Sequence, residues 1–154
     1  MVDVTASRAG LDKALAFAND LFNALESAGH RVLISSPAEN FTRARIDEHE
    51  QMPKASRSEH SYDYSHLWSP QRPTVVYLGS IAFGLAAIEM SESTVLCYIN
   101  GKYVRDSDHK PPKTRYADHS WTTTRDMPCG RLRLVVYAPY RDVSWSLLFQ
   151  ESKD

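Results

Sequence analysis

The stretch whose residue types are best suited to bind a ligand is GRLRLVVYAPYR, residues 130–141. On a β-strand, successive side chains point to opposite faces, so that Arg131, Arg133 and Tyr137 would share one face. Arginine contacts phosphate groups and tyrosine stacks on bases, which is the chemistry of a nucleic-acid-binding surface. An ordinary solvent-facing sheet has the same composition, so both interpretations stay open at this point.

The charge distribution extends this pattern along the chain. Residues 101–141 carry 9 basic and 4 acidic side chains, a difference of +5, whereas residues 1–100 carry 8 basic and 12 acidic ones, a difference of -4. A cationic cluster of this kind favours an anionic partner, although solvated charged faces are common. The predicted nucleic-acid-binding or partner-binding residues are Lys110, Lys113, Arg115, Arg125, Arg131, Arg133, Tyr137 and Arg141, with Tyr140 and Trp121 as further aromatic rings for stacking.

Six histidines and two cysteines raise the possibility of catalysis or metal binding. No pair of histidines or cysteines has the short spacing of a zinc site, and no phosphate-binding loop or dinucleotide fingerprint occurs, so we expect neither a metal nor a cofactor. Cys129 lies between proline and glycine, a setting more typical of a turn than of an activated thiolate. The enzyme alternative is a small hydrolase or nuclease that uses His60, His66, His109 or His119 with Asp63 or Asp118.

One helix is predicted in front of these residues. Between Ala9 and Ala28, apolar residues recur at alternating steps of three and four, the period of an amphipathic helix, and its stripe consists of Leu11, Leu15, Ala18, Phe22 and Leu25. Ser7 is a suitable N-cap, and Gly29 can adopt the left-handed conformation that ends many helices. Short strands are expected on either side of this helix, in VDVTAS and in HRVLISSP.

The remaining strands are expected to form hairpins. The fifteen uncharged residues 74–88 are too few to span a membrane, which takes about 20, and Gly79-Ser80 is typical of a two-residue turn between strands. Asn100-Gly101 predicts a second turn, with strands at 95–99 and 102–105. A third pair is predicted at 131–138 and 143–150, around the turn Pro139 to Asp142.

The segments between these hairpins lack a clear pattern. FTRARIDEHE, residues 41–50, alternates with the period of a half-buried strand. Residues 51–72 and 106–128 are predicted to be long loops. We therefore expect residues 1–154 to form a single α+β domain, with a mostly antiparallel sheet built of hairpins and one long N-terminal helix packed on one face. A small-ligand sensor, with a pocket between this helix and the segment Thr74 to Glu89, is a third functional alternative.

Four segments of the chain together resemble a set of uncharacterised bacterial proteins. In order, they are SRAGLDKALAFANDLFNALESAGHRV, RPTVVYLGSIAFGLAAIEMSE, NGKYVR and CGRLRLVVYAPYRDVSWSLLFQE. Many of those proteins carry a helix-turn-helix-like segment upstream of the similar region. The resemblance therefore implies a DNA-associated regulator or accessory factor, although this chain begins almost at the strand before the helix and ends at Asp154, where a further helix is expected. It supplies no catalytic residues.

The composition is that of a folded domain. The chain of 154 residues contains 42% hydrophobic and 24% charged residues, with a net charge of -1, whereas disordered chains lack this much apolar material. The N-terminus carries too many charges for a secretion signal, and the cysteines show no disulfide framework, so we expect a cytoplasmic protein with no membrane contact. The predicted function is a non-catalytic binding or accessory module of a bacterial DNA-associated protein, whose basic face contacts nucleic acid or a protein partner.

Overall fold

A computed structural model describes residues 3–45, 72–99, 101–108 and 121–153 of the chain. Within these ranges the elements are β1 (Val4–Thr5), α1 (Leu11–Ser27), β2 (Val32–Ile34), a 3-10 helix (Pro37–Glu39), β3 (Thr74–Leu78), β4 (Ile81–Ile99), β5 (Lys102–Arg105), a second 3-10 helix (Asp106–Asp108), β6 (Thr122–Tyr137) and β7 (Ser146–Gln150). The described part of the chain is therefore α+β, as predicted, with one α-helix.

The seven described strands form a single sheet, which is antiparallel except where β1 pairs with β4. Its main order is β2-β3-β4-β6-β7. One edge of the long strand β4 pairs with β6, while its other edge receives β3, β1 and β5 in turn. β4 therefore pairs directly with four strands, whereas β2 and β7 pair with β3 and β6 at the two edges.

The predicted turns join antiparallel neighbours. Leu78 pairs with Ile81 across Gly79-Ser80, and Gly79 has the positive φ of 64° that a glycine at the first turn position adopts at little steric cost. Ile99 pairs with Lys102 across the second turn, and Tyr137 pairs with Ser146 across the third. The predicted hairpins are thus partly confirmed, since the first two share β4 and are not separate units.

Several boundaries from the sequence are wrong. The second strand of the first predicted hairpin and the strand predicted at 95–99 are parts of one strand of 19 residues. Residues 122–128, predicted to lie in a loop, belong to β6 because β4 continues beyond a β-bulge near Glu89 and offers them a partner edge. The last strand begins at Ser146 rather than at residue 143. Residues 41–45 are not in a strand, and residues 46–71 and 109–120 lie outside the described part.

Helix α1 covers one face of the sheet through its small residues. Ala14 and Ala18 are its buried residues, whereas Leu11 and Leu15, predicted to belong to the buried stripe, are exposed. Gly10, and not Ser7, is the N-cap, and the hydroxyl of Ser7 accepts a hydrogen bond from the amide of Gly10 at 3.1 Å. The chain leaves the helix at Gly29, whose φ is 85°, as predicted. The packing of α1 on the sheet is therefore confirmed only in part.

The opposite face of the sheet carries a small apolar cluster. Ala86, Ile88 and Tyr137 are buried together, and Ala44 and Val135 pack against them. Gly84 makes room for this cluster, because a side chain there would overlap the ring of Tyr137. Residues 41–45 thus lie over the sheet, although they do not add a strand to it.

Candidate functional site

A group of aromatic residues in mutual contact lies at the far end of β4. Tyr98 pairs with Tyr103 of β5, and the amide of Tyr98 donates to the carbonyl of Trp121 at 3.0 Å. The ring centroid of Tyr98 is 5.0 Å from that of Tyr103 and 5.6 Å from that of Trp121, both in tilted orientations. Trp121 is 63% exposed, the highest value among the large hydrophobic residues described. We call this three-stranded end of the sheet, formed by residues 94–99, β5 and 121–127, the ribbon.

An arginine completes the aromatic group of the ribbon. The guanidinium carbon of Arg125 lies 4.2 Å from the ring centroid of Tyr103, within the distance of a cation–π interaction. Arg125 pairs with Thr94 and Arg105 pairs with Leu96, so both arginines are on the same face as Tyr98 by alternation along the strands. The side chain of Arg105 donates to the carbonyl of Pro128 at 3.2 Å. One face of the ribbon therefore combines three aromatic rings with two cations.

The predicted binding residues are not brought together as a single surface. Arg125 belongs to the ribbon, whereas Arg131 lies 3.7 Å from the carboxylate of Glu92. Arg133 donates to the side chain of Gln150 at 3.3 Å. Arg141 lines a cavity elsewhere in the molecule, and Lys110, Lys113 and Arg115 lie outside the described residues.

Tyr137 is placed differently from the prediction. It was expected to stack on bases from the basic face, but it is only 2% exposed and its ring packs over Gly84. Burial raises the pKa of its phenol, the negative charge of Asp3 adds to this effect, and the charge of Arg43 opposes it. The strand continues into the apolar cluster at this point, so the alternation of residue types did not separate an exposed tyrosine from a buried one.

Two functional candidates of the ribbon, Tyr98 and Tyr103, were missed in the sequence. The sequence did indicate their contact, since both tyrosines lie two positions from the Asn100-Gly101 dipeptide, and a two-residue turn pairs such positions directly. Trp121 was recognised as an aromatic ring for stacking, but its contact with Tyr98 follows from the pairing of β4 with β6. That pairing joins parts of the chain that are distant in sequence.

A second notable group is the buried carboxylate of Glu89, which is 2% exposed. Its Oε2 accepts a hydrogen bond from the amide of Ser7 at 2.7 Å, and its Oε1 accepts one from the amide of Gly130 at 3.0 Å. It also lies against Gly10 at the N-terminus of α1, where the helix dipole favours negative charge. These contacts join the helix to the bulged part of β6, which is a structural role.

A third group is the buried ion pair of Asp3 and Arg43. Nε of Arg43 lies 2.5 Å from Oδ2 of Asp3, and its NH2 donates to Oδ1 at 2.7 Å. The amide of Asp3 donates to the hydroxyl of Thr74 at 3.0 Å. The bidentate pair holds residues 41–45 against the sheet, and it leaves neither charge of the pair without a partner.

The cavity beside Cys129 has a mixed charge. Its volume is about 540 Å³, and its lining residues are Lys13, Glu92, Cys129, Arg131, Glu151, Ser152 and Lys153. Lys13 lies 2.6 Å from the carboxylate of Glu151, whose pKa is lowered chiefly by this contact, and Lys153 lies 3.4 Å from Glu92. The thiol of Cys129 is directed to the carbonyl of Met90 at 3.1 Å. No histidine is among the described lining residues, so none of these residues is a base of the kind that activates a cysteine.

The structure gives the enzyme alternative no test, because the histidines and aspartates named for it lie outside the described residues. Among the described residues, no group of three or more histidine, cysteine, aspartate or glutamate side chains could hold a metal ion. The ligand-sensor alternative places a pocket between α1 and the segment 74–89. Of three cavities formed by described residues, none is lined by both of these elements.

Comparison of the chain with protein-family models, with curated proteins and with solved structures gives no match. The resemblance to bacterial proteins with an upstream helix-turn-helix-like segment therefore stays a prediction. In the part of the chain that the structure describes, no helix is long and apolar enough to cross a membrane.

Proposed function

We propose that this domain is a binding module that contacts single-stranded nucleic acid through the aromatic and cationic face of the ribbon. The observation that carries the proposal is the contact group of Trp121, Tyr98, Tyr103 and Arg125. Aromatic rings that stack on bases, next to arginines that contact the backbone, are the usual parts of a single-strand-binding surface. Each stacked base contributes about 1–3 kcal/mol in such surfaces.

Exposure supports the same conclusion. An aromatic residue that only stabilises a sheet gains by burial, whereas most of the surface of Trp121 remains in contact with solvent. A base that stacks on this ring would bury apolar surface that the protein itself leaves uncovered. The resemblance to bacterial proteins with a DNA-reading segment agrees with this proposal, since the ribbon would then act next to a DNA-bound partner domain.

The test is the affinity for a labelled single-stranded oligonucleotide, compared with a duplex of the same length, at about 50 and 200 mM salt. We expect the single strand to bind more tightly, and binding to weaken with salt because phosphate contacts release counterions. Trp121→Ala should lower the affinity about tenfold, in the range of one lost stacked base. Arg125→Gln should reduce both the affinity and its dependence on salt.

Trp145→Ala is the matched control, because Trp145 is also exposed but contacts Phe83 at a centroid distance of 5.9 Å, outside the ribbon. It should leave the affinity for the oligonucleotide unchanged. Equal affinities of wild-type protein and Trp121→Ala would contradict the proposal. A preference for the duplex would also contradict it, since paired bases do not expose their faces to a stacking ring.

A further inference from the structure

A second cavity lies at the end of the sheet opposite the ribbon, between residues 35–42 and the turn that joins β6 to β7. Its volume is about 540 Å³, and its lining residues are Ser35, Ser36, Pro37, Asn40, Phe41, Thr42, Arg72 and Arg141. A small-molecule site has a volume of roughly 300–1,000 Å³. The cavity is therefore large enough for a small organic molecule and not only for an ion.

The described residues that line this cavity carry charge of one sign. Arg72 and Arg141 are the charged residues among them, and none of them is an aspartate or a glutamate. NH1 of Arg72 donates to the carbonyl of Ser35 at 3.3 Å, which positions this guanidinium while most of its N–H groups stay available. Arg141 makes no ion pair with the described residues. The two guanidinium groups thus have no acidic partner among the described lining residues.

The carboxylate of Glu39, which adjoins the lining residue Asn40, is already engaged. Glu39 accepts a hydrogen bond from the amide of Ser36 through Oε2 and one from the hydroxyl of Tyr77 through Oε1. It is the acidic half of a capping box at the 3-10 helix Pro37–Glu39. This arrangement holds Glu39 in the 3-10 helix, and it is not a lining residue of the cavity.

The walls of the cavity are tied to each other. The amide of Thr42 donates to the carbonyl of Pro139 at 2.8 Å, and the ring of Phe41 meets that of Tyr140 edge to face at 5.2 Å. The hydroxyl of Tyr140 in turn accepts a hydrogen bond from the amide of Ala82 at 2.9 Å. Asn40 has a positive φ of 52°, the left-handed conformation in which asparagine can end a helix, here the 3-10 helix Pro37–Glu39. Both walls are therefore held in place before any ligand arrives.

We propose that this cavity binds the phosphate group of a small phosphorylated molecule. Guanidinium groups match the geometry of phosphate with paired hydrogen bonds, and Ser36 and Asn40 offer further donors. The remaining volume, beside Pro37 and Phe41, accommodates the organic part of the ligand. The proposal does not rest on the function of the ribbon. The two sites are far apart: Tyr140 beside the cavity contacts Ala82, the ribbon contains Tyr98, and these two residues of β4 are up to about 50 Å apart at the rise of a strand.

The experiment is a titration of the full chain with inorganic phosphate, then with a sugar phosphate and its unphosphorylated sugar, followed by calorimetry or by the shift in melting temperature. We expect saturable binding of both phosphorylated probes, tighter binding of the sugar phosphate, and no binding of the free sugar. Chloride at the same ionic strength should not replace them, because it cannot form the paired hydrogen bonds.

Arg141→Gln is the decisive variant, because Arg141 is exposed and its loss should leave the fold intact. It should weaken binding of the sugar phosphate at least tenfold, as should Arg72→Gln. Arg8→Gln removes an equally exposed charge outside the cavity and should bind like the wild-type protein. Equal affinities of Arg141→Gln and wild type would overturn the proposal. So would binding of a 5′-phosphorylated oligonucleotide in this cavity without binding of either small phosphate.

Discussion

At the scale of single residues, Glu89 has the least replaceable side chain among those described. Its two carboxylate oxygens satisfy the amides of Ser7 and Gly130, which come from opposite ends of the chain. Gly10 leaves the space that this carboxylate occupies, since a side chain at that position would overlap it. One buried acid thus connects the segment before α1, the start of the helix and the bulge in β6.

We predict that Glu89→Gln lowers the free energy of unfolding by about 2–3 kcal/mol, because a charged acceptor becomes neutral and its new NH₂ group faces a donor. Urea denaturation followed by circular dichroism measures this difference. Glu26→Gln is the control, since Glu26 is exposed on α1 and its substitution should change stability by less than about 0.5 kcal/mol. Equal unfolding midpoints for the two variants would show that the buried contacts contribute little.

At the scale of elements, helix α1 shows which residues of its apolar pattern are buried against the sheet. The spacing of Leu11 and Leu15 is that of a buried stripe, yet Leu15 is 48% exposed and Ala14 is 0% exposed. The small side chains of Ala14 and Ala18 let the helix backbone come close to the sheet. The orientation of α1 therefore depends on close approach through alanine, and not on burial of its largest residues.

This orientation predicts effects of different size for two neighbouring substitutions. Ala14→Leu should destabilise the fold by about 1–3 kcal/mol, because the added atoms have no space at the helix–sheet contact. Leu15→Ala should change the free energy of unfolding by less than about 0.5 kcal/mol, since it removes a mostly exposed side chain. Thermal or urea unfolding of both variants decides the matter. A larger loss in Leu15→Ala than in Ala14→Leu would mean that the helix turns its leucines to the sheet.

At the scale of the whole molecule, two phenols with raised pKa values make stability depend on alkaline pH. Burial raises the pKa of Tyr137, and a hydrogen bond to Glu39 raises the pKa of Tyr77 to about 12. The pKa of tyrosine in an unfolded chain is about 10. Above that pH the unfolded state releases these protons while the folded state keeps them. The stabilisation is therefore complete below about pH 10 and decreases as the pH rises towards the folded pKa values.

We predict that between about pH 10 and pH 12 the free energy of unfolding decreases less in Tyr137→Phe than in the wild type, because the variant lacks one of these protons. Near neutral pH the substitution should cost little, since it keeps the buried ring over Gly84 and removes only the phenol oxygen. The measurement is the free energy of unfolding at several pH values. Tyr103→Phe, at an exposed phenol, should keep the wild-type decrease. An unchanged pH dependence in Tyr137→Phe would refute this assignment.

Local patterns in the sequence determined the parts of the molecule that depend on neighbouring residues. The apolar period between Ala9 and Ala28 and the glycine at position 29 predicted α1 nearly to its ends. Glycine at positions 79 and 101 predicted two turns, because the backbone conformation of a two-residue turn is a property of the residues in it. The alternation in residues 131–137 identified part of β6.

Only the tertiary structure decided how distant segments meet. Cys97 pairs with Thr122 and Ser91 with Pro128, and these pairings turn a predicted loop into strand and form the ribbon that carries Trp121. The same pairing register buries Tyr137 over Gly84, although its sequence neighbours resemble an exposed basic face. The strand period specifies two faces but not which of them is covered. That choice depends on the segments that pack against the sheet, namely α1 and residues 41–45, and on contacts that no local pattern contains.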